Sequence, residues 1–125
     1  CRSKKRKWCI AKISPLTTEV QLQYLIDKVG FQQMHLCNTL PHDKRGGLSG
    51  PELKPYVIRL IDLVRSRWGN DIELIAGGGV RTIGDVNDYI SAGANHISLG
   101  TVCFTPWKVK SIIKKIPNVN NQILI

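Results

Sequence analysis

The feature that most constrains the fold of this 125-residue chain is a short apolar segment followed by an amphipathic one, repeated four times. Each apolar segment has the length and composition of a buried strand, and each amphipathic segment has the apolar spacing of a helix. The predicted strands are residues 8–13, 34–37, 72–76 and 96–99. The residues that end the four helices are Gly30, Gly69, Gly93 and Pro117. Alternating strands and helices predict a parallel sheet with right-handed crossovers.

The number of strand–helix units narrows the fold further. A closed eight-stranded barrel needs about 250 residues, and this chain has half that length and half the units. We therefore predict an α/β fold, the C-terminal half of a (β/α)8 TIM barrel, over residues 8–117; a four-unit open sheet is the alternative. Residues 1–7 form a basic N-terminal arm, and residues 118–125 a tail to which we assign no structure. Because a half barrel leaves sheet edges uncovered, we expect self-association or poor solubility in isolation.

The net charge of +9 is concentrated at the two ends of the chain, within residues 2–7 and 108–115. Such clusters suit contact with nucleic acid or acidic lipid. No aromatic platform accompanies them, so we interpret them as a solvated arm and helix face and expect no nucleic-acid partner. The four cysteines form no C-x-x-C pair and match no zinc signature. We therefore expect reduced thiols and no metal site.

Residues with distinctive chemistry follow every predicted strand, where the sites of β/α folds are built. They are Lys12, Asn38, Thr39, the run Gly77 to Gly79, Gly100 and Thr101. Because the carboxyl ends of parallel strands meet at one edge of the sheet, we expect these residues to converge there.

The two glycine groups indicate a phosphate site. Glycine lets the main chain approach a ligand and direct N–H groups at it, and the helix predicted from Thr82 would aim its positive end the same way. We therefore predict a phosphate held between Gly79 and the Gly100–Thr101 pair. The alternative is that these glycines only form tight turns.

Lys12, Asn38 and Thr39 each have a functional and an ordinary interpretation. A lysine among apolar neighbours favours an anionic ligand, or it extends to solvent. Asn38 and Thr39 suit a planar polar substrate, or they simply begin a loop. His35 and His96 lie in apolar strands, and we interpret them as hydrogen-bonded core residues.

At these residues the chain resembles the dihydroorotate dehydrogenases. The similarity extends over roughly residues 8–110 and rests on the order of several motifs. The motifs are KISP (12–15), CNT (37–39), GGLSGPELKP (46–55), IAGGGV (75–80), AGANHISLGT (92–101) and VCFTPW (102–107).

The resemblance implies an FMN enzyme that oxidises dihydroorotate to orotate in pyrimidine synthesis. By this analogy Asn38 and Thr39 hold the substrate. The residues implied to contact FMN or its phosphate are Lys12, Cys37, Gly50, Gly78, Gly79, Gly100 and Thr101. The family's catalytic base, a Cys or Ser, is expected on a loop before this sequence, so no catalytic residue is assigned and the chain alone is expected to be inactive.

Two alternatives stay open. Only residues 40–45 separate the CNT and GGLSG motifs, a shorter stretch than in the family. This leaves room for another FMN-dependent TIM-barrel enzyme, or for a non-catalytic phosphate-binding half barrel. The GGLSGPELKP motif favours the cytoplasmic class over the membrane-associated, quinone-dependent class.

Overall fold

The computed structural model describes residues 9–36, 39–42, 46–116 and 123–124. Its strands β1 to β7 are Ile10–Ile13, Gln33–Leu36, Leu40–His42, Gly46–Leu48, Glu73–Gly77, His96–Ser98 and Ile123–Leu124. Its helices α1 to α4 are Glu19–Gln23, Lys54–Trp68, Ile83–Ala92 and Pro106–Lys115. Helix α1 continues as a π-helical segment, and a short 3₁₀ helix precedes each of α2 and α4. These segments are Tyr24–Val29, Pro51–Leu53 and Thr101–Phe104.

Five strands form a parallel sheet in which spatial order follows chain order, β1-β2-β5-β6-β7. Right-handed crossovers that always step in the same direction place their helices on the same face of the sheet. An open doubly wound sheet reverses direction and carries helices on both faces. The observed order therefore agrees with the predicted half barrel rather than with an open sheet of that kind.

One face of the sheet is buried beneath the helices, and the other carries most of the polar side chains of the strands. Successive strand residues point to opposite faces. In β2, Met34 and Leu36 are fully buried, whereas His35 between them is half-buried. In β1, Ala11 and Ile13 are buried, whereas Lys12 is exposed. We call the surface that carries Lys12 and His35 the inner face.

The inner face contains a hydrogen-bonded set of three side chains. Gln33 Nε2 donates to Glu73 Oε2 over 2.9 Å, and the His96 ring bonds the other oxygen of Glu73. The bond from His96, and then that from Gln33, lowers the pKa of Glu73. His96 is therefore satisfied, as predicted, but it lies half-buried on the inner face rather than in the core.

The core lies between the sheet and the helices. Fully burying one aliphatic side chain of this kind stabilises the fold by about 1.5–3 kcal/mol. Its largest fully buried side chains include Leu22, Met34, Leu36, Leu60, Ile61, Leu74, Tyr89 and Ile97. No helix within the described ranges is long and apolar enough to cross a bilayer.

Helix boundaries follow the local signals in the sequence. Thr18 caps α1, and its hydroxyl accepts a hydrogen bond from the Gln21 N–H at 3.4 Å. The π-helical segment ends at Gly30, whose φ of 83° is left-handed. Thr82 and Gly93 bound α3 in the same way. These boundaries agree with the predicted ones.

Two segments differ from the sequence prediction. Residues 40–42 and 46–48 belong to no predicted strand, yet β3 and β4 pair as an antiparallel hairpin, with Leu40 opposite Leu48. Leu40 is buried in the core, which gives this polar and glycine-rich segment an anchor. The tail, to which no structure was assigned, includes β7, which pairs with β6 through Ile97 and Ile123. A free sheet edge offers main-chain partners to any extended segment, whatever its composition. The predicted basic arm lies outside the described residues.

Candidate functional site

A cavity of about 220 Å³ lies at the carboxyl ends of β1, β2, β5 and β6. We call it the rim cavity. Every predicted site residue that the structure describes lines it. These residues are Lys12, Thr39, Gly50, Gly78, Gly79, Gly100 and Thr101. Cys37 and Asn38, the remaining two, lie outside the described residues. The structure thus brings together at one edge residues that are up to 89 positions apart (from Lys12 to Thr101).

The Gly78–Gly79 turn packs directly against the loop at Gly50. Gly78 and Gly79 have left-handed φ angles of 90° and 73°. A Cβ added to Gly79 would lie 2.7 Å from the Gly50 carbonyl oxygen, and one on Gly78 would lie 2.9 Å from Leu53 Cδ1. Only glycine fits this backbone conformation and this closeness together. These two glycines therefore have a structural role in addition to the predicted one.

Gly100 is different, because a Cβ added there would meet nothing within 4 Å. It lines the rim cavity after β6 and directly before the 3₁₀ helix Thr101–Phe104. Tight packing within the described part of the chain therefore does not require glycine here. A ligand that approaches the main chain closely would require it.

The rim cavity is also lined by main-chain donors. The N–H groups of Gly79, Gly100 and Thr101 donate to no protein acceptor within the described ranges. Gly79 is buried, and a buried N–H normally has a partner. Donors on two neighbouring loops with no negative side chain lining the cavity suit a phosphate group.

The N-terminus of α3 is partly occupied by its own carboxylate. Asp85 Oδ2 accepts hydrogen bonds from the N–H groups of Arg81 and Thr82 at 2.9 and 3.0 Å, and from the Thr82 hydroxyl. Burial raises the pKa of Asp85, but the bonds from Lys54 and from these groups outweigh it and lower the pKa to about 2. We predicted that the positive end of α3 faces a phosphate. The N–H groups of Arg81 and Thr82, directly before α3, donate to Asp85, and no residue of α3 lines the rim cavity.

Lys12 and His35 place a cation and a half-buried imidazole side by side on the inner face. They are register partners on β1 and β2 and both line the rim cavity. Burial lowers the pKa of His35, and the charge of Lys12 lowers it further. His35 is therefore a neutral hydrogen-bonding group near pH 7, and it lies in the cavity rather than in the core as predicted.

Thr39 lies beside the β3–β4 hairpin. A Cβ on Gly47 would collide with its side chain, so the hairpin is held close to Thr39. The hairpin thereby packs against a predicted substrate contact.

Two supporting residues were missed by the sequence analysis. Tyr89, to which we assigned no role from the sequence, donates its hydroxyl to the Gly78 carbonyl over 2.5 Å and so fixes the glycine turn. Asp85 was not singled out either. A T-x-x-D pattern at a helix start, and a tyrosine that must bond its hydroxyl when buried, are signals that could have found them.

The fold and the rim cavity together define a class of protein, a β/α-barrel segment with glycine-rich loops at the carboxyl edge of its sheet. The sequence profile of one family, "Dihydroorotate dehydrogenase", matches residues 5–119. The chain belongs to the dihydroorotate dehydrogenase family.

Individual relatives agree with this assignment. The chain is 44% identical over 121 residues to the dihydroorotate dehydrogenase B (NAD(+)) catalytic subunit of Listeria welshimeri, covering 85% of this chain and 39% of that protein. The corresponding subunit of Staphylococcus carnosus is 44% identical over 79 residues, which covers 62% of this chain and 25% of that protein. The chain thus spans well under half the length of these relatives.

A solved structure confirms the predicted fold class. DHODH from Eimeria tenella in complex with ferulenol superposes with a TM-score of 0.73 and 24% sequence identity. The match covers 90% of this chain and 34% of the other. At this identity the likeness concerns the fold alone.

Proposed function

We propose that this chain supplies the cofactor-phosphate side of an FMN-dependent oxidoreductase that converts dihydroorotate to orotate in pyrimidine synthesis. The observation that carries the proposal is the rim cavity, in which all seven described candidates meet and three main-chain donors have no protein acceptor among the described residues. Membership of the family supports the same assignment.

The residues present fit FMN in two respects. Gly100 leaves open space where a side chain would be, and the N–H groups of Gly79, Gly100 and Thr101 would supply three donors at the rim cavity. These groups would hold the phosphate by charge-assisted hydrogen bonds. When bound, FMN would accept a hydride from the substrate, which is the chemistry that the protein side chains lack.

The remaining candidates would act on the ring and the substrate. Lys12 places a positive charge at the cavity, where it would stabilise negative charge on the bound ring system. Thr39 and Asn38 would bind the polar edge of dihydroorotate, and Cys37 would lie beside them on the flavin side. His35 is neutral and would contribute a hydrogen bond rather than a charge.

We further propose that the enzyme is cytoplasmic and passes its electrons to NAD⁺. The similar proteins from Listeria and Staphylococcus are catalytic subunits of an NAD(+)-linked enzyme. We propose that this chain belongs to the same NAD(+)-linked class and acts on dihydroorotate.

The test is to purify the full-length protein, titrate it with FMN, and add dihydroorotate without oxygen. We expect a yellow protein whose bound flavin is bleached by dihydroorotate. A protein that never binds FMN contradicts the proposal. A protein that binds FMN but is not reduced supports instead the non-catalytic half barrel or another FMN-dependent enzyme.

A further inference from the structure

Two loops that line the rim cavity, at Gly50 and at Gly78–Gly79, lead into α2 and α3. An ion pair outside the cavity joins these two helices. Lys54, the first residue of α2, places Nζ 2.6 Å from Asp85 Oδ1 and 2.7 Å from Asp88 Oδ2 on α3. Lys54 belongs to the GGLSGPELKP motif, yet it does not line the cavity. Neither the proposed chemistry nor the family resemblance gives it a role.

The ion pair lies close in sequence to both loops. Lys54 follows Gly50 by one 3₁₀ turn, Pro51–Leu53, and Asp85 binds the main chain directly after the Gly78–Gly79 turn. The two loops approach so closely that a Cβ on Gly79 would lie 2.7 Å from the Gly50 oxygen. A shift of α2 relative to α3 would therefore move one wall of the cavity against the other.

The ion pair also affects the electrostatic charge next to the Gly78–Gly79 turn. Asp85 stays ionised at any pH near neutrality, and it accepts a hydrogen bond from the N–H of Arg81, two residues after Gly79 of the rim cavity. An uncompensated carboxylate there would repel a phosphate dianion. The ammonium of Lys54, bonded to the Asp85 oxygen that the loop leaves free and also to Asp88, offsets part of that charge.

We propose that Lys54 is a positioning residue for the ligand phosphate: it holds the Gly50 loop against the Gly78–Gly79 loop and offsets the negative charge of Asp85. This inference rests on the proposed function. It predicts an effect on binding of the phosphate and no direct contact with the ligand.

The test compares FMN with riboflavin, which has the same ring system and no phosphate. Dissociation constants of both are measured by flavin fluorescence for the wild-type full-length protein and for K54M. We expect K54M to weaken FMN binding about tenfold and to leave riboflavin binding within about twofold, so that the preference for FMN falls. A merely structural loss would weaken both ligands alike.

Three variants serve as controls. K54R keeps the charge and should retain the preference for FMN. D88N removes only the more exposed partner (side-chain exposure 56%, against 18% for Asp85) and should also retain it. If K54M does not fold, FMN and riboflavin binding are compared in K54Q, because its amide can donate a hydrogen bond to Asp85 but carries no charge.

The possible failures can be told apart. A wild-type protein that binds neither flavin contradicts the proposed function itself. A wild-type protein that prefers FMN, with an unchanged preference in K54M or K54Q, contradicts only the role of Lys54. A lost preference in D88N would also overturn it, since the effect would then not follow from Asp85.

Discussion

Gly79 and Gly100 both line the rim cavity, but their surroundings differ at the level of single atoms. Gly79 has a left-handed φ of 73° and touches the Gly50 loop. Gly100 has open space where a side chain would be. The first glycine is therefore needed to form the fold, whereas we propose that the second is needed for a bound ligand.

Because their surroundings differ, we predict that substitution by alanine mainly lowers stability at Gly79 and mainly weakens ligand binding at Gly100. Gly79→Ala should lower the free energy of unfolding by about 2–3 kcal/mol, because it combines a strained φ with a steric clash. Gly100→Ala should change it by less than about 1 kcal/mol and weaken FMN binding instead. Urea unfolding and flavin titration of both variants check this. Equal loss of stability in both would contradict the difference in their surroundings.

At the scale of elements, the start of α3 depends on one carboxylate. Asp85 accepts three bonds from Arg81 and Thr82 and a fourth from Lys54. Its pKa of about 2 in the folded protein is below the ordinary value of 3.8. The ionised form is thus the one that folding favours, and the stability it contributes is present above pH 3.8 and lost as the pH falls toward 2.

We predict that Asp85→Ala lowers the free energy of unfolding by about 1–2 kcal/mol near pH 7, the usual effect of losing a helix cap. The gap between the two proteins should narrow as the pH is lowered from 4 toward 2. Urea unfolding across this pH range measures it. Asp88→Ala is the control and should change stability by less than about 1 kcal/mol, as for an exposed ion pair. A gap that does not depend on pH would contradict the assignment.

The elements that the sequence predicted well are those with local signals. The four helices and their boundaries follow from apolar spacing and from caps such as Thr18, Gly30 and Gly93. The β3–β4 hairpin and β7 were missed, because strand pairing depends on which residues meet across the sheet and not on local pattern. The prediction that His35 lies in the core was wrong for a related reason. The sequence of an apolar strand does not show which of its two faces the helices cover.

At the scale of the whole molecule, the site could be predicted in outline because parallel strands bring their ends to one edge. That rule alone placed Lys12, Gly79 and Thr101 together. It could not find Lys54 or Tyr89, because these act from outside the cavity through contacts between helices and loops. Such contacts depend on side-chain geometry that no spacing in the sequence records.

The uncovered sheet edge predicts association of the 125-residue chain. Among the described strands β1 pairs only with β2, and Ile10 at its start is 43% exposed. We expect sedimentation to show an apparent mass that rises with protein concentration. Ile10→Lys should reduce this rise, because a charged residue on an exposed edge strand disfavours pairing with another chain. Ile90→Lys, at a similarly exposed isoleucine on α3, is the control and should leave it unchanged. A wild-type chain that stays monomeric at every concentration would contradict this.

The inner face is divided electrically along the strands. Toward the amino end, Gln33 and His96 each form a hydrogen bond with Glu73, so these side chains already have protein partners. Toward the carboxyl end, Lys12 is exposed and has no carboxylate partner among the described residues, so a group that buries its ammonium would have to supply negative charge or hydrogen-bond acceptors. The same surface thus carries paired polar groups at one end and, at the other, a cation that favours an anionic ligand.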